Sequence, residues 1–186
     1  MEGVIILRHS QLYSAMHCIA RYTKAANSVA CEFSMKIFSL HKKPESIPQI
    51  AQWHFDEWRA LYPQKTLDDF ESDLRESLTG ADIPQTWLLM EDDEICGTAS
   101  VLRHDMKTHT ELSPWLANIF IRKERRGLGF GKTLVLWVMN EIKRLGVREI
   151  YLFTEDQRAF YEKLGWASLG QEIYEGKPVV VMRFAF

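Results

Sequence analysis

The chain has 186 residues, of which 46% are hydrophobic and 26% are charged, with 23 Lys and Arg against 25 Asp and Glu. This composition is typical of soluble globular proteins, and the length predicts one domain that buries its core without a disulfide or a metal. A net charge of −2 excludes a protein that binds nucleic acid or anionic membranes through bulk positive charge. We therefore expect neither a nucleic acid nor a membrane as a partner.

The first 34 residues lack the regular patterns of the rest of the chain. They contain no signal peptide, and nowhere does the sequence hold the run of about 18 apolar residues that a membrane span needs. The three cysteines, Cys18, Cys31 and Cys96, are odd in number and are not spaced as metal ligands are. We therefore expect them to be reduced thiols. We predict a cytoplasmic protein without a metal site, with an N-terminal extension of unassigned status over 1–34 and a domain over 35–186.

The first half of this domain is predicted as strand, helix, helix and hairpin. Apolar residues recur at helical spacing after Ser46, and a second amphipathic stretch after Thr66 ends at a glycine. An acidic turn at 92–94 separates two runs with strand character. The predicted strands span 35–40, 86–91 and 95–104, and the predicted helices run from Ser46 to Leu61 and from Thr66 to Gly80.

The second half is predicted as strand, helix, strand, short helix and hairpin. Residues 115–121 and 149–154 are mostly apolar runs of strand length, and a long amphipathic stretch lies between them over 129–145. A strand, a helix and a second strand in this order imply a parallel crossover. We predict a short helix over 156–164 with Asp156 as its cap, and a closing hairpin.

The most informative segment precedes the long helix and reads Arg125-Arg126-Gly127-Leu128-Gly129-Phe130-Gly131-Lys132. Alternate glycines let a ligand approach the backbone, and the free N–H groups of a helix start attract an anion. The segment therefore predicts a diphosphate site. A basic connecting turn would have the same residues, whereas the glycine spacing fits neither the dinucleotide fingerprint nor the P-loop.

A second motif, Phe160-Tyr161-Glu162-Lys163-Leu164-Gly165-Trp166, lies in the predicted short helix. Together with Arg126-x-x-Gly129-x-Gly131 and the element order from Met35 to Phe186, it resembles the GCN5-related N-acetyltransferase (GNAT) superfamily. The resemblance implies a mixed α+β acyltransferase fold with flanking helices and a splayed parallel pair of strands. Its central mixed sheet would have about six to seven strands, which is an ordinary size.

The resemblance also implies acetyl-CoA as the co-substrate and assigns residues to it. The pantetheine arm would enter between the splayed strands, and the pyrophosphate would meet the glycine loop. The implied cofactor-binding residues are Asn118, Ile119, Phe120, Ile121, Arg126, Gly127, Leu128, Gly129, Phe130, Gly131 and Lys132. Tyr161 would protonate the departing thiolate; the alternative is that its ring only packs on the sheet beside Phe160.

The identity of the general base stays open, because Trp115 occupies the position where many relatives have a glutamate. The candidates elsewhere are His104, Asp105, Glu111, Glu155 and Asp156, each of which is also explained as a surface residue or a cap. The resemblance places the acceptor near the two early helices, residues 103–106 and the final hairpin. Trp58, Trp87, Trp115 and Tyr174 are candidates for an aromatic wall there, although such residues usually pack in a core.

We therefore predict an N-acetyltransferase that moves the acetyl group of acetyl-CoA to a primary amine by direct attack in a ternary complex. The amine belongs to a small molecule or a peptide; the run from Thr154 to Tyr161 looks like one in the actin N-terminal acetyltransferase branch. The alternative is a catalytically weak acyl-CoA-binding sensor or regulatory module. A homodimer is compatible with the sequence.

Overall fold

The computed structural model describes residues 35–79 and 82–186. The predicted extension over 1–34, with Cys18 and Cys31, lies outside the described residues, as does the predicted helix end at Gly80. The strands are β1 (Met35–Ser39), β2 (Gln85–Glu91), β3 (Glu94–Leu102), β4 (Trp115–Ile121), β5 (Glu149–Thr154), β6 (Ala167–Tyr174) and β7 (Lys177–Ala185). The α-helices are α1 (Ile47–Trp58), α2 (Leu67–Glu76), α3 (Phe130–Arg144) and α4 (Arg158–Glu162).

The strands form one seven-stranded sheet in the order β1-β2-β3-β4-β5-β7-β6. Every neighbouring pair is antiparallel except β4 and β5, which are parallel. The predicted mixed α+β fold with flanking helices and one parallel pair is therefore confirmed. A crossover through α3 connects the parallel strands, as the strand, helix, strand order required.

The two parallel strands touch only at the start of β4. Trp115 is opposite Tyr151, and the Tyr151 N–H donates to the Pro114 carbonyl over 3.0 Å. This is the one register pair between β4 and β5 among the described residues. The strands therefore separate toward their carboxyl ends, which lie at Ile121 and Thr154.

Different helices cover the two faces of the sheet. Leu89 packs with Leu134 of α3, whereas its neighbour Leu88 packs with Ile50 of α1 and Leu74 of α2. Successive residues of a strand point to opposite faces, so β2 contributes to both core layers. A third, smaller cluster lies beneath β4, β5 and β7 and contains Met106, Trp115, Tyr151, Tyr174, Val179 and Val181.

Two helix starts differ from the sequence-based expectation. The short helix begins at Arg158, and Thr154 rather than Asp156 supplies the local hydrogen bond, since its Oγ1 accepts from the Gln157 N–H over 3.0 Å. Ser46 does precede α1, but its hydroxyl donates to the Lys43 carbonyl over 2.6 Å and makes no capping bond. Short polar side chains have several backbone partners within reach, and sequence does not rank them.

Over residues 35–79 and 82–186, no helix is long and apolar enough to cross a membrane. The same residues contain no cluster of His, Cys, Asp and Glu that would hold a metal ion. Cys96 is a free, buried thiol.

Candidate active site

β4 is irregular where it leaves β5. Asn118 has a φ of 51°, in the left-handed region that Asn tolerates better than most residues. The β3–β4 register shifts at this point, so that Asn118 and Ile119 have no recorded register partner among the described residues of β3. A bulge of this kind releases backbone groups from the ladder. On the other side of β4, no register pair with β5 follows Trp115 among the described residues, so this edge of the strand is open to a ligand.

A buried hydrogen-bond chain ties α1 to this bulge. Thr98 Oγ1 donates to the Asn118 carbonyl over 3.3 Å, so it accepts from His54 Nε2, which lies 2.8 Å away. His54 is 1% exposed, and burial lowers its pKa to about 3. The imidazole is therefore neutral, with this network assigning its proton to Nε2.

The glycine loop brings uncapped backbone donors to the start of α3. Gly127 and Gly129 have φ values of 75° and 87°, and a Cβ at either position would meet no atom within 4 Å. Backbone conformation, rather than lack of space, therefore requires glycine here. Gly129 caps α3 without a side-chain hydrogen bond, so the first N–H groups of the helix have no side-chain partner. This arrangement suits an anion.

The cations of this loop have different partners. Arg126 turns back on the protein: its Nε donates to the Ile121 carbonyl over 2.8 Å, and its Nη2 donates to Glu57 over 3.1 Å. Arg125 pairs with the buried Glu91. Lys132 is exposed and has no ion pair within the described ranges. In this conformation, Lys132 is therefore the cation of the loop left available to a phosphate.

Tyr161 is buried in the core between two aromatic rings. Its ring centroid lies 5.0 Å from that of Phe160 and 5.9 Å from that of Trp166, in edge-to-face geometry, and the residue is 6% exposed. Burial raises the pKa of the phenol above its usual value, with Asp156 adding to the shift. The hydroxyl has no hydrogen-bond partner among the residues that the structure describes. It therefore holds its proton at neutral pH, as both the acid and the packing interpretations require.

A cavity of about 450 Å³ opens between α1, α2, β3 and β4 and reaches the bulge. It lies where the acceptor was expected, near the early helices, residues 103–106 and the final hairpin. Its polar and aromatic lining residues include His54, Tyr62, Lys65, Asp73, Ser100, His104, Asp105, Asn118 and Tyr174.

The predicted aromatic wall is wrong for three of its four members, because only Tyr174 lines this cavity. Strand alternation turns Trp87 to the α3 face, where it packs 6.1 Å from Trp137. Trp58 packs edge-on against His54 at 4.9 Å. Trp115 is fully buried, and its Nε1 donates to the Leu112 carbonyl over 2.7 Å.

The structure separates the five candidate bases. Glu155 and Asp156 are exposed, and Glu111 lies 3.2 Å from His109. His104 and Asp105 line the cavity. Burial raises the pKa of Asp105 to about 7, so this carboxyl changes protonation near neutral pH.

Sequence reasoning missed the polar residues that α1, α2 and the turn between them contribute to this cavity. His54 lies on the apolar face of α1, one turn after Ile50, and this position gave no reason to prefer a site over packing. Tyr62 and Asp73 are single polar residues in no motif. The sequence did contain one signal of the site, because His54 is a titratable ring among apolar neighbours.

Comparison with known families decides the classification. Residues 47–166 match the family model described as Acetyltransferase (GNAT) family. The chain belongs to this family. As the two motifs predicted, it is an acetyl-CoA-dependent acetyltransferase.

Solved structures show the same fold at low identity. An acetyltransferase of the GNAT family from Streptococcus pneumoniae is 17% identical, with a TM-score of 0.60 over 82% of this chain and 99% of that chain. An aminoglycoside 6'-N-acetyltransferase complexed with coenzyme A is 19% identical, with a TM-score of 0.62 over 80% and 96% of the two chains. The Salmonella typhimurium protein yncA, solved with acetyl-CoA, is 15% identical, with a TM-score of 0.62 over 81% and 93%. A search of curated proteins gave no match.

Proposed function

We propose that this protein transfers the acetyl group of acetyl-CoA to a primary amine, by direct attack of the amine in a ternary complex. The observation that carries this proposal is the separation of β4 from β5 at the Asn118 bulge. The glycine loop follows the separated end of β4 after a short charged turn at Lys123–Arg125, and the cavity reaches the bulge itself. A donor bound at the loop and an acceptor bound in the cavity would therefore meet at Asn118.

The residues around the opening fit the donor. The uncapped first turn of α3 and Lys132 offer hydrogen-bond donors and positive charge to a diphosphate. The edge of β4 that faces β5 has no register pair beyond Trp115 among the described residues, and it fits the amide groups of a pantetheine arm, which would extend β4 there. In this assignment Arg126 acts indirectly, because it fixes the loop to Ile121 and Glu57.

The chemistry requires a bound carbonyl, a neutral amine and a proton for the leaving group. Acetyl-CoA supplies the thioester whose carbonyl carbon accepts the amine. A backbone N–H near Phe120, in the separated part of β4, would stabilise the charge that develops on the carbonyl oxygen. Tyr161 would hold the proton that the thiolate takes as the C–S bond breaks. One fold neighbour is an aminoglycoside 6'-N-acetyltransferase, whose acceptor is an amine, and this supports the same class of acceptor here.

A panel of primary amines tests this function. The protein is incubated with acetyl-CoA and polyamines, amino acids, aminoglycosides or peptides, and free thiol and acetylated amine are measured together. We expect thiol release that depends on the amine and equals the product formed. Thiol release that no amine accelerates would contradict the proposal.

The loop assignment has a matched control. Gly129→Val forces a β-branched residue into the left-handed region at the start of α3, and Gly146→Val does the same at its end, where φ is 81°. Both variants should lose stability, but only Gly129→Val should lose the thermal stabilisation that acetyl-CoA gives the parent. Equal ligand shifts in the two variants would place the diphosphate elsewhere.

A second candidate function is an acyl-CoA sensor that binds the thioester without transferring its acetyl group. The buried Trp115 favours it, since this indole occupies the position where the resemblance implies a base. A sensor would show the same acetyl-CoA stabilisation with no amine-dependent thiol release. The panel therefore separates the two functions.

A further inference from the structure

Asp105 lies on the connection that follows β3, and its backbone is anchored. The Tyr174 hydroxyl donates to the Asp105 carbonyl over 3.4 Å and accepts from the Lys107 N–H over 3.4 Å. The next residue, Met106, is 1% exposed in the cluster beneath β4, β5 and β7. Contacts on both sides thus hold this part of the connection against the sheet and the final hairpin.

The carboxylate of Asp105 is left without a partner at the cavity. In the portion of the chain described by the structure, it has neither a hydrogen bond nor an ion pair. The two nearby lysines are engaged elsewhere: Lys65 pairs with Asp73, and Lys107 pairs with Glu175 over 3.3 Å. Asp105 is half-buried in the cavity wall. A carboxylate that loses water there without gaining a cation binds a proton more tightly than usual, and burial raises the pKa of Asp105 to about 7.

The same cavity contains both Asp105 and Asn118, so an amine that enters it would lie between this carboxylate and the bulge. We propose that Asp105 is the general base that removes the proton from the acceptor ammonium. This proposal rests on the proposed acetyl transfer. In many relatives the general base lies on β4, at the position that the buried Trp115 occupies in this chain. The proposal places the base on the β3–β4 connection instead.

Asp105 takes one proton from the ammonium and passes it to solvent. The freed nitrogen pair forms the bond to the thioester carbon, and the C–S bond breaks with its electrons on sulfur. Nitrogen loses its second proton to solvent, while sulfur takes one from Tyr161, which is reprotonated from solvent. A base near neutrality suits this task, because it is ionised at working pH and still binds a proton from an ammonium.

The sign of the pH dependence follows from the raised pKa. Above about 7 Asp105 is ionised and active, so kcat/KM should rise with pH through this value and then level. The titratable and charged groups that share the cavity with Asp105 are His54, Tyr62, Lys65, Asp73, Glu76, Arg103, His104, Tyr174 and Lys107, which pairs with Glu175. Burial raises the pKa of both Tyr62 and Tyr174, so these phenols stay neutral across the range.

Asp105→Asn, assayed in the full chain, tests the proposal. With an alkylamine that the parent accepts, we expect kcat/KM to fall by about 10²-fold at neutral pH and the acid limb of the profile to disappear. With the fluorinated analogue of that amine, whose nitrogen is largely neutral at the same pH, the loss should be less than about tenfold. Acetyl-CoA should still stabilise the variant. Rates within about twofold of the parent, or equal losses for both amines, would overturn the proposal.

Asp73→Asn provides an independent signature. Removing this carboxylate deletes a neighbouring negative charge and frees Lys65, and both changes favour ionised Asp105. The acid limb should therefore move to lower pH. If the acid limb of the Asp73→Asn profile stays at the pH of the parent, the proposal is overturned, even if Asp105→Asn fails to fold. A parent that binds acetyl-CoA but accepts no amine would instead refute the proposed transfer and this inference with it.

Discussion

The Tyr161 ring lies between two aromatic rings, so a substitution that keeps the ring is a clean test of the hydroxyl's role. Tyr161→Phe keeps the ring between Phe160 and Trp166 and removes only the oxygen. If the phenol protonates the leaving thiolate, turnover should fall by about 10²-fold, while acetyl-CoA affinity and thermal stability stay near the parent values. Turnover within about twofold of the parent, measured with chemistry rate-limiting, would leave Tyr161 as a packing residue.

Thr98 joins His54 to the Asn118 bulge and is fully buried. Thr98→Val keeps the shape but leaves a buried imidazole N–H and a carbonyl without partners. We expect a loss of about 1–3 kcal/mol in the free energy of unfolding, because each orphaned group keeps its desolvation cost. Acetyl-CoA affinity should fall as well, since the bulge loses its support.

A second buried threonine gives the control. Thr86 Oγ1 lies 2.8 Å from Ser77 and 2.9 Å from Ser100, and Thr86 itself lies on β2, which β3 separates from the bulge on β4. Thr86→Val should destabilise the fold to a similar degree without changing acetyl-CoA affinity, as measured by denaturation and calorimetry. If both variants weaken acetyl-CoA equally, the chain from His54 to Asn118 has no special relation to the donor.

At the scale of the elements, hydrogen bonds attach the β3–β4 connection to β6, and one of them involves a titratable histidine, His109. Glu172 accepts from the Thr108 hydroxyl over 3.0 Å, and its other oxygen lies 2.7 Å from His109 Nε2. The hydrogen bond to Glu172 is the main cause that raises the pKa of His109. A raised histidine pKa means that the stabilisation is complete below the ordinary value of about 6.5 and is lost as pH rises through the folded value.

We therefore expect Glu172→Gln to destabilise the protein more at acid pH than at alkaline pH. Unfolding midpoints of parent and variant, measured in steps from pH 5.5 to 8.5, should converge as pH rises. The amides of residues 107–112 in the parent should exchange faster over the same range, after correction for intrinsic exchange. A difference in midpoint that does not change with pH would show that His109 contributes nothing through its charge.

The bounds of a strand could be predicted closely from the sequence where its hydrophobic pattern fitted only one kind of element. β4 and β5 match their predicted ranges because each is an apolar run between turn residues. The aromatic wall failed because a tryptophan pattern does not reveal which face of the sheet a strand presents, and Trp87 faces α3. The neighbours of Asp105 in the cavity were equally hidden, because they come from α1, α2 and β6, which only the fold brings together.

At the scale of the whole molecule, the sheet divides the proposed donor and acceptor regions. The diphosphate loop begins α3 on one face, and the cavity lies beneath α1 and α2 on the other. The separation of β4 from β5 is a break in the sheet between these regions. We propose that residues 35–186 contain everything this arrangement needs, since both regions and the break lie within them.

A crystal structure of the protein with a non-hydrolysable acetyl-CoA analogue tests this arrangement most directly. The account predicts the diphosphate against the first turn of α3, the pantetheine arm between β4 and β5, and the acetyl methyl facing the cavity with Asp105 on its far side. An analogue bound away from the glycine loop would contradict the account. So would an acetyl group sealed from the cavity by the closed sheet.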